Sequence, residues 1–158
     1  IGTVGSEGKA AYAAERGCDY PILYGKEDFV ARVKAITSGA GVNVVYDSVG
    51  QATFMRSLDC IRPMGTLVLF GQSSGTIPPF DLSLLAAKGS LFLTRPSLMT
   101  YTALRRDLLS HATDLFDVIL NGAVRVEINQ RYPLAEAARA HRDLESRRTT
   151  GASLLLPF

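Results

Sequence analysis

The first nine residues, Ile1 to Lys9, carry the residue types of this 158-residue chain that are best suited to binding chemistry. A short apolar run ends in the small residues Gly5 and Ser6, and Lys9 follows about one helical turn later. This pattern predicts a buried strand that turns tightly into a helix. Such turns bind phosphate groups in nucleotide-binding α/β folds. A plain structural turn is the alternative, because Gly-rich turns between strand and helix are common.

The charge at this strand end indicates which nucleotide would fit. In dinucleotide-binding folds, an acidic residue at the end of the second strand selects the free 2′-hydroxyl of NAD. Gly5 and Ser6 occupy that position here, and the Lys9 ammonium can reach a 2′-phosphate. Glu7 is close in sequence, but its place at a helix start suits the helix dipole. If the turn is a ribose site, its ligand is NADPH.

Composition limits the other classes of function. The chain is 47% hydrophobic and carries a formal charge of +2, with its basic residues spread along the sequence. It has no basic stripe of the kind that nucleic acid requires, and no apolar run near the roughly 20 residues that span a bilayer. We expect a cytoplasmic protein without nucleic-acid or membrane partners. Cys18, Cys60, His111 and His141 share no ligand spacing, so neither a metal site nor a disulfide is predicted.

Short β patterns alternate with longer helical patterns, which predicts an α/β fold of the Rossmann-like, doubly wound type with a mostly parallel sheet. The run VNVVY is of the kind that is buried on both faces of such a sheet. Further strands are predicted at residues 21–24, 66–70, 91–94, 124–128 and 153–156, and helices at 9–17, 27–37, 52–58, 82–87, 101–121 and 134–146.

Small and polar residues follow three of the strands, after Ser6, Asp47 and Phe70. A dinucleotide that lies across the carboxyl ends of a parallel sheet would contact all three loops. The first strand of such a fold and its G-x-G-x-x-G turn have no counterpart, since the Gly71 to Gly75 pattern comes too late and precedes no long helix. We therefore expect a C-terminal fragment of a longer α/β protein.

Nearly every segment of the chain resembles the C-terminal half of the zeta-crystallin-type quinone oxidoreductases, in the medium-chain dehydrogenase/reductase superfamily. The motifs that carry the resemblance are IGTVGS with Lys9, DFVARVKAIT, VVYDSVG, SLDCIRPMG, FGQSSG, KGSLFLTRPSL, QRYPLAEAARAHRDLESR and TTGASLLLP. The resemblance implies an NADPH-dependent, zinc-free reductase that transfers a hydride to quinones or similar conjugated carbonyls such as enones.

The resemblance also implies which residues bind the cofactor. Gly5, Lys9 and Tyr24 match the 2′-phosphate pocket of the family, and Arg147 matches a basic residue of the C-terminal segment that approaches the cofactor. Positions near the nicotinamide are matched by Ser48 and by the loop from Phe70 to Ser73. The full set of cofactor-binding candidates is Gly5, Ser6, Lys9, Tyr24, Ser48, Phe70, Gly71, Gln72, Ser73 and Arg147. No catalytic residue is assigned, because hydride transfer is the chemistry of the cofactor.

Several of these residues also have a purely structural interpretation. Lys9 suits a solvated first helical turn, Tyr24 suits packing at a strand end, and Arg147 suits a helix C-terminus. Asp47 is either a turn former or a site residue. A cofactor-free structural or binding domain that retains the fold is therefore the alternative function. The set of Lys9, Tyr24 and Arg147 favours the reductase, because a structural domain needs no three phosphate donors.

The resemblance implies two regions and a dimer. Residues 1–131 correspond to a partial nucleotide-binding domain, and residues 132–158 correspond to a helix and strand that return to an N-terminal catalytic domain in relatives. Without that domain we expect the fragment to be inactive, and Leu154 to Leu156 to be exposed, disordered or covered by another copy. The strand Leu91, Phe92, Leu93 and Thr94 is expected at the sheet edge, where it pairs with its two-fold copy unless a loop covers it.

Overall fold

The computed structural model describes residues 1–157, which form two compact units, residues 1–101 and residues 102–157. Each pair of neighbouring strands in both units is parallel, and helices connect the strands. Parallel strands joined by helices define the α/β class, so the predicted fold class is confirmed.

The first unit alternates strands and helices along the chain. Its elements are β1 (Gly2–Val4), α1 (Glu7–Ala14), β2 (Pro21–Leu23), α2 (Phe29–Ile36), β3 (Val42–Asp47), α3 (Phe54–Leu58), β4 (Ile61–Leu69), α4 (Ser83–Ala87), β5 (Phe92–Thr94) and α5 (Leu98–Tyr101). The short α4 follows the Gly71 to Gly75 segment, so that segment precedes no long helix, as the sequence predicted.

Side-chain caps start the first two helices. The Ser6 hydroxyl accepts a hydrogen bond from the Lys9 amide at 3.3 Å at the start of α1. The Asp28 carboxylate accepts from the Val30 amide at 3.0 Å at the start of α2. Arg56 of α3 donates to the same carboxylate at 2.6 Å, and this hydrogen bond lowers the pKa of Asp28 below its usual value. The cap therefore also links α2 to α3.

The strands of the first unit form two separate sheets. One sheet contains β1 and β2, with Val4 opposite Leu23, and the other has the order β3-β4-β5, with Asp47 opposite Leu69. In the part of the chain that the structure describes, no strand joins β1 to β3. This division agrees with the expectation that the first strand of the fold has no counterpart in these residues.

Helix α2 packs against strands of both sheets. Its buried side chains Phe29 and Val33 form one cluster with Ile22 of β2, and Val42 and Val45 of β3 pack against that cluster. Full burial of such side chains contributes about 1.5 to 3 kcal/mol each. A second cluster lies under the other sheet and contains Phe54, Leu58, Ile61, Leu67, Leu69 and Leu91.

The prediction that β3 is buried on both faces was wrong. Val44 is 41% exposed and Tyr46 is 72% exposed, whereas Val45 between them packs into the core. Side chains alternate between the two faces of a strand, and neither core cluster includes Val44 or Tyr46 on the face opposite Val45. The sequence also predicted a strand at residues 66–70, and the side chains of Leu67 and Leu69 in β4 are buried.

The second unit contains α6 (Arg105–Leu120), β6 (Ile128–Pro133), a 3₁₀ turn (Leu134–Glu136), α7 (Ala137–Glu145) and β7 (Ala152–Leu156). The predicted helix over 101–121 is interrupted, because Leu104 has an extended backbone between α5 and α6. The strand predicted at 124–128 starts only at Ile128, the first residue that finds a partner in β7. Backbone hydrogen bonds to a partner therefore set this boundary, which an alternating side-chain pattern does not reveal.

The end of the chain agrees with one of the stated expectations. Leu154, Leu155 and Leu156 form part of β7 and are between 36% and 40% exposed in the single chain, so they are ordered, and covering by another copy stays a prediction. The predicted division of the chain into residues 1–131 and 132–158 refers to a catalytic domain in relatives, so it stays a prediction. It differs from the two compact units described above. Within residues 1–157 no helix has both the length and the apolar character to cross a membrane.

The Cys60 thiol makes the stability of the first unit depend on pH. Burial, together with the smaller effect of the Asp59 carboxylate, raises the pKa of Cys60 from 9.0 to about 11. Between pH 9 and pH 11 the unfolded state loses this proton while the folded state keeps it, so the free energy of unfolding falls as the pH rises. Urea unfolding of Cys60→Ala should lack this part of the pH dependence. The control Cys18→Ala should retain it, and equal slopes for the two variants would contradict the assignment.

Candidate functional site

Gly5, Ser6, Lys9 and Tyr24 form what we call the first loop cluster, at the carboxyl ends of β1 and β2. Because Val4 lies opposite Leu23, the next residues, Gly5 and Tyr24, leave the sheet side by side. A β-carbon at Gly5 would lie 3.7 Å from the Tyr24 hydroxyl oxygen. A larger side chain at Gly5 would therefore occupy the space beside this hydroxyl, which glycine leaves open.

The charges around the first loop cluster are mixed. Lys9 is half-buried in the first turn of α1, and Glu7 precedes it in the same turn, as the helix-dipole interpretation predicted. The Glu7 carboxylate accepts from the Lys26 ammonium at 2.6 Å, and both side chains are largely exposed. Glu7 is thus paired with a cation. Lys26 was missed in the sequence analysis, although its position two residues after Tyr24 could have indicated it.

Ser48 and the segment Phe70 to Ser73 form the second loop cluster, at the carboxyl ends of β3 and β4. The Phe70 amide donates to the Asp47 carbonyl at 3.0 Å, and the Ser73 amide donates to the Ser48 carbonyl at 3.1 Å. A β-carbon at Gly71 would lie 2.6 Å from the Ser48 carbonyl oxygen. Gly71 therefore allows the two loops to approach each other, while Phe70, Gln72 and Ser73 are exposed.

The Asp47 carboxylate stabilises the turn that follows β3 and that carries Ser48 of the second loop cluster. It is 4% exposed, and its carboxylate accepts hydrogen bonds from the amides of Val49 and Gly50 and from the hydroxyls of Thr53 and Ser57, at 2.8 to 3.0 Å. These donors satisfy a buried charge that would otherwise be costly. Of the two interpretations of Asp47, the structure supports the turn former.

A cavity of about 460 Å³, which we call the central cavity, lies between β1 and β3. Tyr24 of the first loop cluster and Ser48 of the second both line it, so the structure brings these two candidates to one cavity. The other lining residues are Ile1, Gly2, Thr3, Phe29, Val33, Val42, Val44, Val45, Tyr46, Asp47, Val49, Thr53, Ser57 and Cys60. Most of these side chains are apolar.

Arg147 lies in the second unit, immediately after the C-cap residue of α7. Its backbone has φ of +59°, its side chain is exposed, and its amide donates to the Leu144 carbonyl at 3.0 Å. This left-handed conformation is natural for glycine and costs an arginine roughly 1 to 3 kcal/mol. Strained residues of this kind are frequent at functional sites.

The metal-ligating residue types and the Cys60 thiol are the other groups in the described chain that could take part in chemistry. No group of three or more His, Cys, Asp or Glu side chains is placed to hold a metal ion among residues 1–157. The Cys60 thiol donates to the Arg56 carbonyl at 3.5 Å, and its raised pKa keeps it protonated at neutral pH. A thiol in this state is a poor nucleophile.

A comparison with protein families shows the family to which the chain belongs. Residues 16–154 match the family model described as zinc-binding dehydrogenase. The chain belongs to this family. Quinone oxidoreductase 1 of Escherichia coli strain K12 is 48% identical over 99% of the chain and 49% of that protein. The 2-haloacrylate reductase of a Burkholderia species is 42% identical over 99% of the chain and 47% of that protein.

Solved structures of family members share the same fold. The E. coli quinone oxidoreductase complexed with NADPH superposes with a TM-score of 0.94 at 48% identity, over 99% of the chain and 49% of that structure. The 2-haloacrylate reductase superposes with a TM-score of 0.90 at 42% identity, over 99% of the chain and 49% of that structure. The resemblance to quinone oxidoreductases and the Rossmann-like fold are confirmed. The chain spans about half the length of these relatives, and the roles of the individual site residues stay predictions.

The close approach of the two loops predicts that Gly71→Ala lowers stability, whereas Gly8→Ala raises it. Gly71→Ala places a methyl group against the Ser48 backbone, which has little freedom to move, and should lower the free energy of unfolding by about 1 to 3 kcal/mol. Gly8→Ala is the control, because a β-carbon at Gly8 has no atom within 4 Å. On helix α1 it should raise stability by roughly 0.5 to 1 kcal/mol. Urea unfolding of both variants tests this, and a neutral Gly71→Ala would contradict the close packing.

Proposed function

We propose that this chain is the cofactor-binding part of an NADPH-dependent reductase that acts on quinones or similar conjugated carbonyls. The observation that carries the proposal is the first loop cluster. An ammonium and a phenol hydroxyl, from Lys9 and Tyr24, belong to a strand end that has glycine where NAD-specific folds have a carboxylate. The quinone oxidoreductase of E. coli, whose structure contains NADPH, supports the same cofactor.

The residues of the first loop cluster suit a 2′-phosphate. Lys9 would supply a cation and Tyr24 a hydroxyl donor, and charge-assisted hydrogen bonds of this kind are roughly twice as strong as neutral ones. Gly5 leaves the space beside the Tyr24 hydroxyl open. The ion pair between Glu7 and Lys26 reduces the repulsion that a bare carboxylate would exert on the phosphate.

The second loop cluster suits the other end of the dinucleotide. Hydrogen bonds between the two loops hold Ser48 and Ser73 in place before any ligand binds, and preorganised donors lose little entropy on binding. When bound, NADPH supplies the hydride. These loops would orient it and exclude water from one side. We propose that the 158 residues alone do not catalyse the reaction, because the predicted pyrophosphate turn and substrate pocket belong to other parts of the relatives.

A cytoplasmic location completes the proposal. Cys18 and Cys60 are both free thiols, which is usual in a reducing compartment.

Replacing Lys9 tests the cofactor assignment. The assay uses a chimera in which this chain replaces the matching half of E. coli quinone oxidoreductase 1. Lys9→Ala should weaken NADPH binding by about 1.5 to 3 kcal/mol and leave NADH binding nearly unchanged, because only NADPH carries the 2′-phosphate.

Fluorescence titration with both cofactors measures this difference. The control Lys34→Ala removes an exposed lysine of α2 and should change neither affinity. The isolated 158 residues should bind NADPH much more weakly than the chimera and should not reduce a quinone. Equal losses for NADPH and NADH in Lys9→Ala would refute the assignment.

Arg147 provides a test in which stability and binding change in opposite directions. Arg147→Gly relieves the left-handed strain and should raise the free energy of unfolding of the chain by about 1 kcal/mol. If Arg147 binds the cofactor, the same change should weaken NADPH binding in the chimera. The control Arg148→Gly lies at the next position, which has no positive φ, and should lower stability. Thermal unfolding measures the stability of both variants, and titration measures their NADPH affinity. Unchanged NADPH affinity in Arg147→Gly would mean that Arg147 has a structural role only.

We also propose that β5 forms a homodimer interface. β5 is an edge strand that pairs only with β4 among the described strands, and Phe92 on it is 62% exposed. We propose that this edge is open rather than covered by a loop, because no described strand pairs with it. Two copies of such an edge, related by a two-fold axis, would extend the sheet across both subunits.

A charge on this edge should disrupt the dimer. Phe92→Lys places an ammonium where the two copies would meet, and edge lysines oppose pairing between strands. Sedimentation velocity of the chimera should show a dimer that becomes monomeric with Phe92→Lys. The control Met64→Lys changes an apolar residue of equal exposure, 63%, outside β5, and should leave the dimer intact. A dimer that persists in Phe92→Lys would rule out this edge.

A further inference from the structure

The ion pair between Glu7 and Lys26 joins two segments that are 19 positions apart in the chain. Glu7 is the first residue of α1, directly after the Ser6 cap, and Lys26 lies in the turn after β2. The Lys26 ammonium donates to Glu7 Oε1 at 2.6 Å, and the two side chains are 68% and 74% exposed. An ion pair this exposed contributes little to stability, because solvent screens it and ordering both side chains costs entropy. Its main consequence is therefore electrostatic and concerns the strand ends beside it.

Backbone hydrogen bonds hold the turn of Lys26 against the end of β2. The amides of Lys26 and Glu27 both donate to the Leu23 carbonyl at 2.8 Å. Leu23 lies opposite Val4, the last residue of β1. The turn is thus fixed beside the strand ends that carry the first loop cluster, and the Glu7 carboxylate extends from α1 to meet it.

Glu7 and Glu27 are the carboxylates nearest in sequence to the first loop cluster, and their surroundings differ. The Glu27 carboxylate accepts the Leu23 amide at 3.0 Å and pairs with the Arg32 guanidinium at 3.1 Å, so the scaffold itself holds it. Glu7 pairs instead with a lysine side chain that is as exposed as its own. Loss of the Lys26 ammonium would therefore release a carboxylate at the strand ends, whereas Glu27 would stay bound.

A carboxylate at this place has opposite effects on the two nicotinamide dinucleotides. In NAD-binding folds an acid near the strand end accepts a hydrogen bond from the ribose 2′-hydroxyl. The same charge repels a 2′-phosphate. Pairing with an ammonium cancels much of the charge and occupies the carboxylate. The chain thus carries an acid suited to NADH, together with a cation that neutralises it.

We propose that Lys26 is a positioning residue that sets the preference for NADPH over NADH by holding the Glu7 carboxylate in an ion pair. The structure has this ammonium on Glu7, so its effect on the cofactor passes through Glu7. Without the ammonium, Glu7 would accept a hydrogen bond from the ribose of NADH and repel the phosphate of NADPH. This inference rests on the proposed function, in which the first loop cluster binds the 2′-phosphate, and adds the pair that decides between the two cofactors.

Lys26→Met in the chimera tests the proposal, because methionine keeps an unbranched side chain and removes the charge. Fluorescence titration should show NADPH binding about tenfold weaker and NADH binding about threefold tighter. Lys26→Arg keeps a cation and should retain the preference for NADPH. The matched control Arg56→Met breaks another exposed ion pair of 2.6 Å, with Asp28, and should leave the ratio of the two affinities unchanged.

A double variant tests whether Lys26 acts through Glu7. When Glu7→Gln is already present, Lys26→Met should change neither affinity by more than about twofold, because no carboxylate remains to be released. The thermal unfolding midpoints of the Glu7 and Lys26 variants should stay within about 2 °C of the unmodified chimera, as expected for an exposed pair. A change of cofactor preference without a change of stability is the signature of the proposed role.

Two results would overturn the proposal. If Lys26→Met weakens NADPH binding equally with and without Glu7→Gln, Lys26 contacts the phosphate itself. If Lys26→Met changes neither affinity, the pair is a surface contact only. In both cases a selective loss of NADPH binding in Lys9→Ala would still support the proposed function, so the two failures are distinguishable. Equal binding of NADPH and NADH by the unmodified chimera would refute both proposals.

Discussion

The packing of helix α2 against strands of both sheets is the constraint on which the first unit depends. Phe29 and Val33 contact Ile22 of one sheet, and the same cluster receives Val42 of the other. With no strand paired between β1 and β3 in the described residues, this apolar contact is a principal link between the two sheets. It aligns the carboxyl ends of β1, β2, β3 and β4, and the candidate site residues of this unit follow those strand ends.

The site is built on two loops whose backbones hold each other. The buried carboxylate of Asp47 orders the turn after β3, and the absence of a side chain at Gly71 lets the turn after β4 pack against Ser48. Asp47 and Gly71 together fix the positions of Ser48 and Ser73. Rigid backbone packing beneath these polar side chains is therefore the physical basis of the nicotinamide-binding region that we propose.

Much of the fold could be predicted from the sequence because side-chain periodicity and turn residues are local signals. The apolar run of β4 is an example, and the predicted strands and helices of the first unit were found. Signals that depend on distant partners were missed. The exposure of Tyr46 follows from which sheet face is covered, and the start of β6 at Ile128 follows from its partner β7.

The candidate site likewise has local features that the sequence predicted and contacts between distant residues that it did not. The Gly5 and Lys9 pattern was visible in the sequence, whereas the ion pair between Lys26 and Glu7 joins residues 19 positions apart and required the structure. Family membership identifies the fold and leaves the roles of single residues to experiment.

The most direct measurement is a crystal structure of the chimera with NADPH bound. The account predicts that the 2′-phosphate lies within hydrogen-bond distance of the Lys9 ammonium and the Tyr24 hydroxyl, with Glu7 still paired to Lys26. A 2′-phosphate that points into solvent away from Lys9 and Tyr24 would contradict it.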